Sequence, residues 1–175
     1  MLNQAQQAAY NKGKELYVKY ILSEETTPNT LDMLYDAFEL LGEHVDDVED
    51  IDFRLIFALV VQAMQESDEF NLSEDCIDTK VEIFLQILKW VVNLDSSTVD
   101  AFTTIFKMTL CHTFETLGTI LLAGKELPQN DYVAWICYQQ SKRLGHMSVD
   151  ESILDLFEKG SDGKMVLKPG VPRPE

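Results

Sequence analysis

Apolar residues recur along this chain at intervals of three and four, and strand-type alternation is scarce, a pattern that predicts an all-α fold. The periodicity divides into seven helices. The first runs from about Asn3 to Ser23. A loop follows, and Asn29 or Thr30 caps a second helix that ends near Glu43. An acidic connection from His44 to Asp50 leads into a third helix reaching about Gln65. Ser73 starts a fourth, 74–93, and Asp95 to Thr98 open a long fifth, 97–123. Asn130 or Asp131 opens the sixth, and Ser148 with Glu151 reads as a capping box for the seventh. Gly42, Gly124, Gly145 and Gly160 fall where helices should stop, as suits a left-handed residue past a helix end.

Helices 74–93 and 97–123 are apolar over wide arcs. The first carries Val81, Phe84, Leu88 and Val92, and the second Phe106, Leu110, Phe114 and Leu121. Such helices belong at the centre of a bundle. The expected architecture is a single compact bundle of six to seven helices over residues 1–160. After Gly160 the composition changes to a turn signal (Ser161 to Lys164) and a Pro-containing segment. Residues 161–175 are therefore expected to form a flexible tail. Tyr132, Trp135 and Tyr138 share helical spacing, which favours packing over a base-stacking platform.

The 175 residues, 46% of them hydrophobic, suffice for a sizeable core. Charge changes the picture more. The formal net charge is −16, and eighteen acids against two bases (Arg54 and Lys80) lie within residues 24–82. The remainder is neutral. From Glu24 to Phe53 there are eleven acids and no base. Direct binding to nucleic acid or to an anionic membrane is disfavoured, because phosphates would be repelled. The longest uncharged apolar runs are about a dozen residues, whereas a membrane span needs roughly 20. The amino terminus lacks the apolar core of a secretory signal, and the three cysteines show no CxxC spacing. Free thiols and a cytoplasmic address (the host cytoplasm if the chain is viral) are expected.

Asp32, Asp36, Glu39 and Glu43 are spaced four, three and four apart, so on a helix they form one line about 16 Å long, with Leu34, Phe38 and Leu41 pointing the other way, towards the core. Asp46, Asp47, Glu49, Asp50 and Asp52 continue the acid beyond it. Like charges at i,i+4 cost roughly 0.2–0.5 kcal/mol per pair, and Glu43 sits at the wrong end of the helix dipole. Something outside the chain offsets that repulsion: a basic protein, a metal ion, or salt. A row of carboxylates also imitates, sparsely, the one charge per ~1.7 Å of duplex DNA.

Catalytic signatures are missing. No GxGxxG, Walker A, GxSxG or HExxH motif occurs, so no cofactor is expected. His112 and Glu115 have ligand spacing but no second pair to complete a di-metal bundle. Glu66, Glu69, Asp75, Asp78 and Glu82 form an alternative set, the type of helical carboxylates that hold Mg²⁺ for phosphate hydrolysis, with only Lys80 nearby to hold a phosphate. The reading that best fits these residues is a non-catalytic module. It engages a basic partner surface through the acidic region, one version being a phosphate- or DNA-mimicking inhibitor or regulator of a nucleic-acid-handling protein. That version rests on an analogy of charge with the small acidic proteins of phages. A Mg²⁺-dependent phosphohydrolase and a structural helical subunit are the rivals, and self-association into a homo-oligomer stays open.

Overall fold

The computed structural model describes residues 1–23, 25–145 and 152–174. Among them are eight α-helices: α1 (Gln4–Ile21), α2 (Pro28–Gly42), α3 (Ile51–Glu66), α4 (Glu74–Val92), α5 (Ser96–Asp100), α6 (Thr104–Ala123), α7 (Asp131–Leu144) and α8 (Ser152–Asp155). A 3-10 turn spans Val45–Asp47. One antiparallel hairpin pairs β1 (Phe157–Lys159) with β2 (Met165–Leu167), with Phe157 opposite Leu167. The fold is therefore mostly helical, as the periodicity predicts. None of the described helices is long and apolar enough to cross a membrane.

The chain packs as two compact units, Met1–Ile83 and Phe84–Glu175, and α4 supplies residues to both. In the first unit, α1 crosses α2 closely at Gly13. A Cβ there would stand 2.7 Å from Leu41 Cγ, and Leu41 is fully buried. Tyr10 stacks on Phe53 with ring centres 6.1 Å apart, tying α1 to the start of α3. Nearly all of α3 from Leu55 to Met64 is buried, which accounts for its apolar run. The second unit is built on α6 against α7, where Gly118 leaves room for the ring of Tyr138. Phe102 stacks on Trp90 and meets the edge of Phe106 at 4.9 Å. Arg143 in the last turn of α7 donates to the carbonyl of Leu94, just past the end of α4, and to that of Val91, which also accepts from the Leu94 N–H.

Several expected boundaries move. Thr27, not Asn29 or Thr30, caps α2. Pro28 takes the first helical position, where its missing N–H costs nothing, and Thr30 closes the capping box. The expected helix 97–123 is two helices. Asp95 caps only the short α5, and the hydroxyl of Thr103 accepts from the Phe106 N–H to start α6 afresh. The break places Phe102 between Trp90 and Phe106. Gly124 and Gly145 adopt the left-handed cap conformation, with φ of 69° and 73°. Gly42 does not: it is the last residue of α2, and Glu43 follows in right-handed geometry. On α4 it is Val91 that is buried, whereas Val92 is exposed.

The largest correction lies near the carboxyl end. The capping box of Ser148 and Glu151 is outside the described residues. Among the described residues a four-residue helix, α8, precedes β1, and Gly160 ends no helix but sits in the hairpin turn. The expected boundary at residue 160 thus falls inside the hairpin. Strands of three residues are too short for alternation to register in a sequence. The segment expected as a tail is tied back to α7. Arg173 makes a two-point contact with Asp131, at 2.7 and 3.1 Å, and also donates to the Leu122 carbonyl; the Leu167 N–H donates to Asp131 as well.

These bonds to the charged form, the one from Arg173 first, hold the Asp131 carboxyl below its ordinary value. A depressed carboxyl stabilises the fold above its unfolded value of about 4, and that contribution fades as pH falls through the lower folded value. Asp131→Asn is expected to cost about 1–2 kcal/mol at pH 7 in denaturant unfolding. The gap to the wild type should narrow as pH falls below the ordinary carboxylate range and the group becomes protonated in the folded state as well. A gap that stays constant through that fall would detach the pair from stability.

Candidate functional site

All nine carboxylates of the predicted acidic set lie in the first unit and all are exposed. Asp32, Asp36 and Glu39 occupy the outer side of α2 and Glu43 its C-cap, while Leu34, Ala37 and Leu41 on the inner side are fully buried. Helical periodicity alone produces this split. Asp46 and Asp47 stand on the 3-10 turn, Glu49 and Asp50 on the link to α3, and Asp52 in its first turn. Asp50 also acts locally, since its Oδ1 accepts from the Asp52 and Phe53 N–H groups and caps α3. The Asp52 carboxyl is pushed up, first by partial desolvation and then by the Asp50 charge, with Lys14 pulling the other way. Tyr35, half-exposed on α2, hydrogen-bonds to Glu39.

Among the described residues, no ion pair joins any of these nine carboxylates to a lysine or arginine. The two bases of the acidic third are used elsewhere. Arg54 is half-buried and donates from Nε to the Val48 carbonyl at 2.7 Å. Lys80 is fully buried, and its Nζ donates to Gln62 at 3.1 Å and to Gln65. The sequence shows that two bases are present, but only the packing shows which groups they bind.

The structure adds a feature that the spacing of residues does not reveal. A cleft of about 810 Å³ opens beside α2. Leu16 of α1, Phe38 and Leu40 of α2, Val45 of the turn and Phe57 of α3 give it an apolar floor. Asp36, Glu39, Glu43, Asp46 and Asp75 stand along it. Phe38, expected in the core, is half-buried here and stacks on Phe57 at 5.8 Å. Lys12 is the one base among the described lining residues, and it pairs with Glu15 at 3.4 Å. A smaller hollow places Asp32 near Glu69, Tyr35 and Phe70. The signal available in the sequence is Phe38 and Leu40, apolar residues flanking the acidic line.

The alternative metal set is spread over these features. Glu66 ends α3 and accepts from Gln62, Glu69 lines the smaller hollow, Asp75 reaches the cleft, and Asp78 and Glu82 are exposed on α4. Among the described residues, no group of three or more His, Cys, Asp or Glu side chains is placed to hold a metal ion. His112 is exposed on α6, and Glu115 on the same helix accepts from the buried Ser141 hydroxyl. Tyr138 is buried against Phe157, while Tyr132 and Trp135 stack on each other. The cysteines are free thiols, Cys111 and Cys137 buried and Cys76 half-buried at the cleft.

No family model, curated protein or solved structure matches the chain. Function has to be read from the site's own chemistry.

Proposed function

We propose that the protein is a non-catalytic binding module that docks a basic surface of a partner protein onto the acidic face of its first unit, in a reducing, cytoplasmic setting. One observation carries this reading: nine exposed carboxylates run from α2 to the start of α3, with no lysine or arginine ion-paired to them among the described residues. Opposite charge brought by a partner removes the mutual repulsion of the row, so binding gains free energy that the isolated chain forgoes. A nucleic-acid-handling protein is the partner class that fits best. Its phosphate-binding surface is already arranged for closely spaced negative charge, and a carboxylate line with steps of about 5 Å competes for it.

Affinity capture from lysate at about 50 mM and about 500 mM salt, with and without added duplex DNA, tests the proposal. Basic proteins should be retained at the lower salt and released at the higher, as screening requires. Duplex DNA should displace them, because phosphates and carboxylates would share one surface. Retention that ignores both salt and DNA would contradict the proposal. So would an unchanged set of captured proteins when Asp32, Asp36, Glu39 and Glu43 are replaced by Asn and Gln.

A further inference from the structure

We infer that the cleft beside α2 receives a basic amphipathic helix of the partner, so that recognition combines charge with apolar anchoring. The inference rests on the docking reading above and adds to it the form of the ligand. A pure charge contact needs only exposed carboxylates. Here, five carboxylates border a floor made of Leu16, Phe38, Leu40, Val45 and Phe57. An apolar hollow next to unpaired charge is complementary to a ligand with two faces, one greasy and one cationic.

Spacing points to a helix in particular. Asp36, Glu39 and Glu43 advance along α2 in steps of three and four residues, about 4.5–6 Å each. Lysines or arginines at i, i+3 and i+7 of a helix lying alongside advance by the same steps and can face all three. The apolar residues of that helix, offset on the adjoining face, then point into the cleft. Asp46 and Asp75 border the cleft from the 3-10 turn and from α4, so cations along the ligand meet negative charge from three elements. Lys12 shares the Glu15 carboxylate with Lys19, and as the one cation lining the cleft it stands against five carboxylates.

Three synthetic peptides of about eighteen residues separate charge from shape. The first is a lysine–leucine sequence with its leucines on one helical face. The second has the same composition in scrambled order, and the third is oligolysine. Binding is followed by fluorescence anisotropy at low and moderate salt. Alkylation of Cys76, the half-buried thiol at the cleft, is followed by mass spectrometry; Cys111 and Cys137 are buried and react more slowly.

The amphipathic peptide should bind at least about tenfold more tightly than the other two, because only it places apolar area in the cleft. It alone should slow Cys76 alkylation. Leu40→Ser should bring its affinity down to that of the scrambled peptide and leave oligolysine binding unchanged. Equal affinity for all three peptides, with Cys76 equally reactive throughout, would overturn the helix inference while leaving the charge reading in place. No binding of any cationic peptide at low salt would overturn both. The thiol measurement on the unsubstituted chain decides the matter even where Leu40→Ser perturbs folding.

Discussion

Replacing Asp32, Asp36, Glu39 and Glu43 together by Asn and Gln slows association with a basic partner by about tenfold or more at low ionic strength. That is the expected result if the α2 row steers the encounter. Four like charges along α2 and its C-cap sum at the distances from which a partner first feels the protein, and steered association commonly exceeds the unsteered rate by about 10–10³. The loss should appear mainly in the on-rate, measured by stopped-flow mixing with oligolysine or with a captured partner. It should shrink as the Debye length falls from about 10 Å at 0.1 M salt to about 3 Å at 1 M. The same variant is expected to be as stable as the wild type or slightly more so, because like charges at i,i+4 oppose helix formation by roughly 0.2–0.5 kcal/mol per pair. Lower association without lower stability assigns the row to binding rather than to folding. An on-rate unchanged at low salt would remove α2 from the interface.

Phe53→Ala should cost about 3–5 kcal/mol, the range for deleting a large aromatic from a closed core. Phe53 is fully buried, in the first turn of α3, and stacks on Tyr10 of α1. Its backbone N–H is also held by the Asp50 cap, a bond the substitution leaves in place. The loss therefore isolates side-chain packing. Small domains have only about 5–15 kcal/mol in total, so the first unit should unfold at a much lower urea concentration. Phe53→Leu, which refills most of the volume, should lose distinctly less. A cost below about 1 kcal/mol for the alanine variant would mean that the ring does not close the contact between α1 and α3.

The cleft is only half legible in the residues. Phe38 and Leu40 flank the acidic line in the sequence, yet periodicity assigns Phe38 to the core with Leu34 and Leu41. The hollow depends on Leu16, Val45, Phe57 and Cys76, which come from four other segments. Arg54 and Lys80 show a similar limit. They are the only two bases within residues 24–82, and the packing sets one against a backbone carbonyl and the other into the interior. The hairpin escapes a reading of the sequence because three-residue strands carry almost no periodic signal, and the Arg173–Asp131 pair joins residues 42 positions apart.

The sequence by itself determined the helical class, the exposed line of Asp32, Asp36, Glu39 and Glu43, and the burial of Leu34 and Leu41 behind it. Each of these follows from a period of about 3.6 residues, a property of one local segment. The tertiary structure decided which apolar residues were left lining a cleft and which carboxylates stand together across elements. It also decided where the few lysines and arginines spend their charge. Those outcomes depend on contacts between segments far apart in the chain, to which the spacing of neighbouring residues is blind.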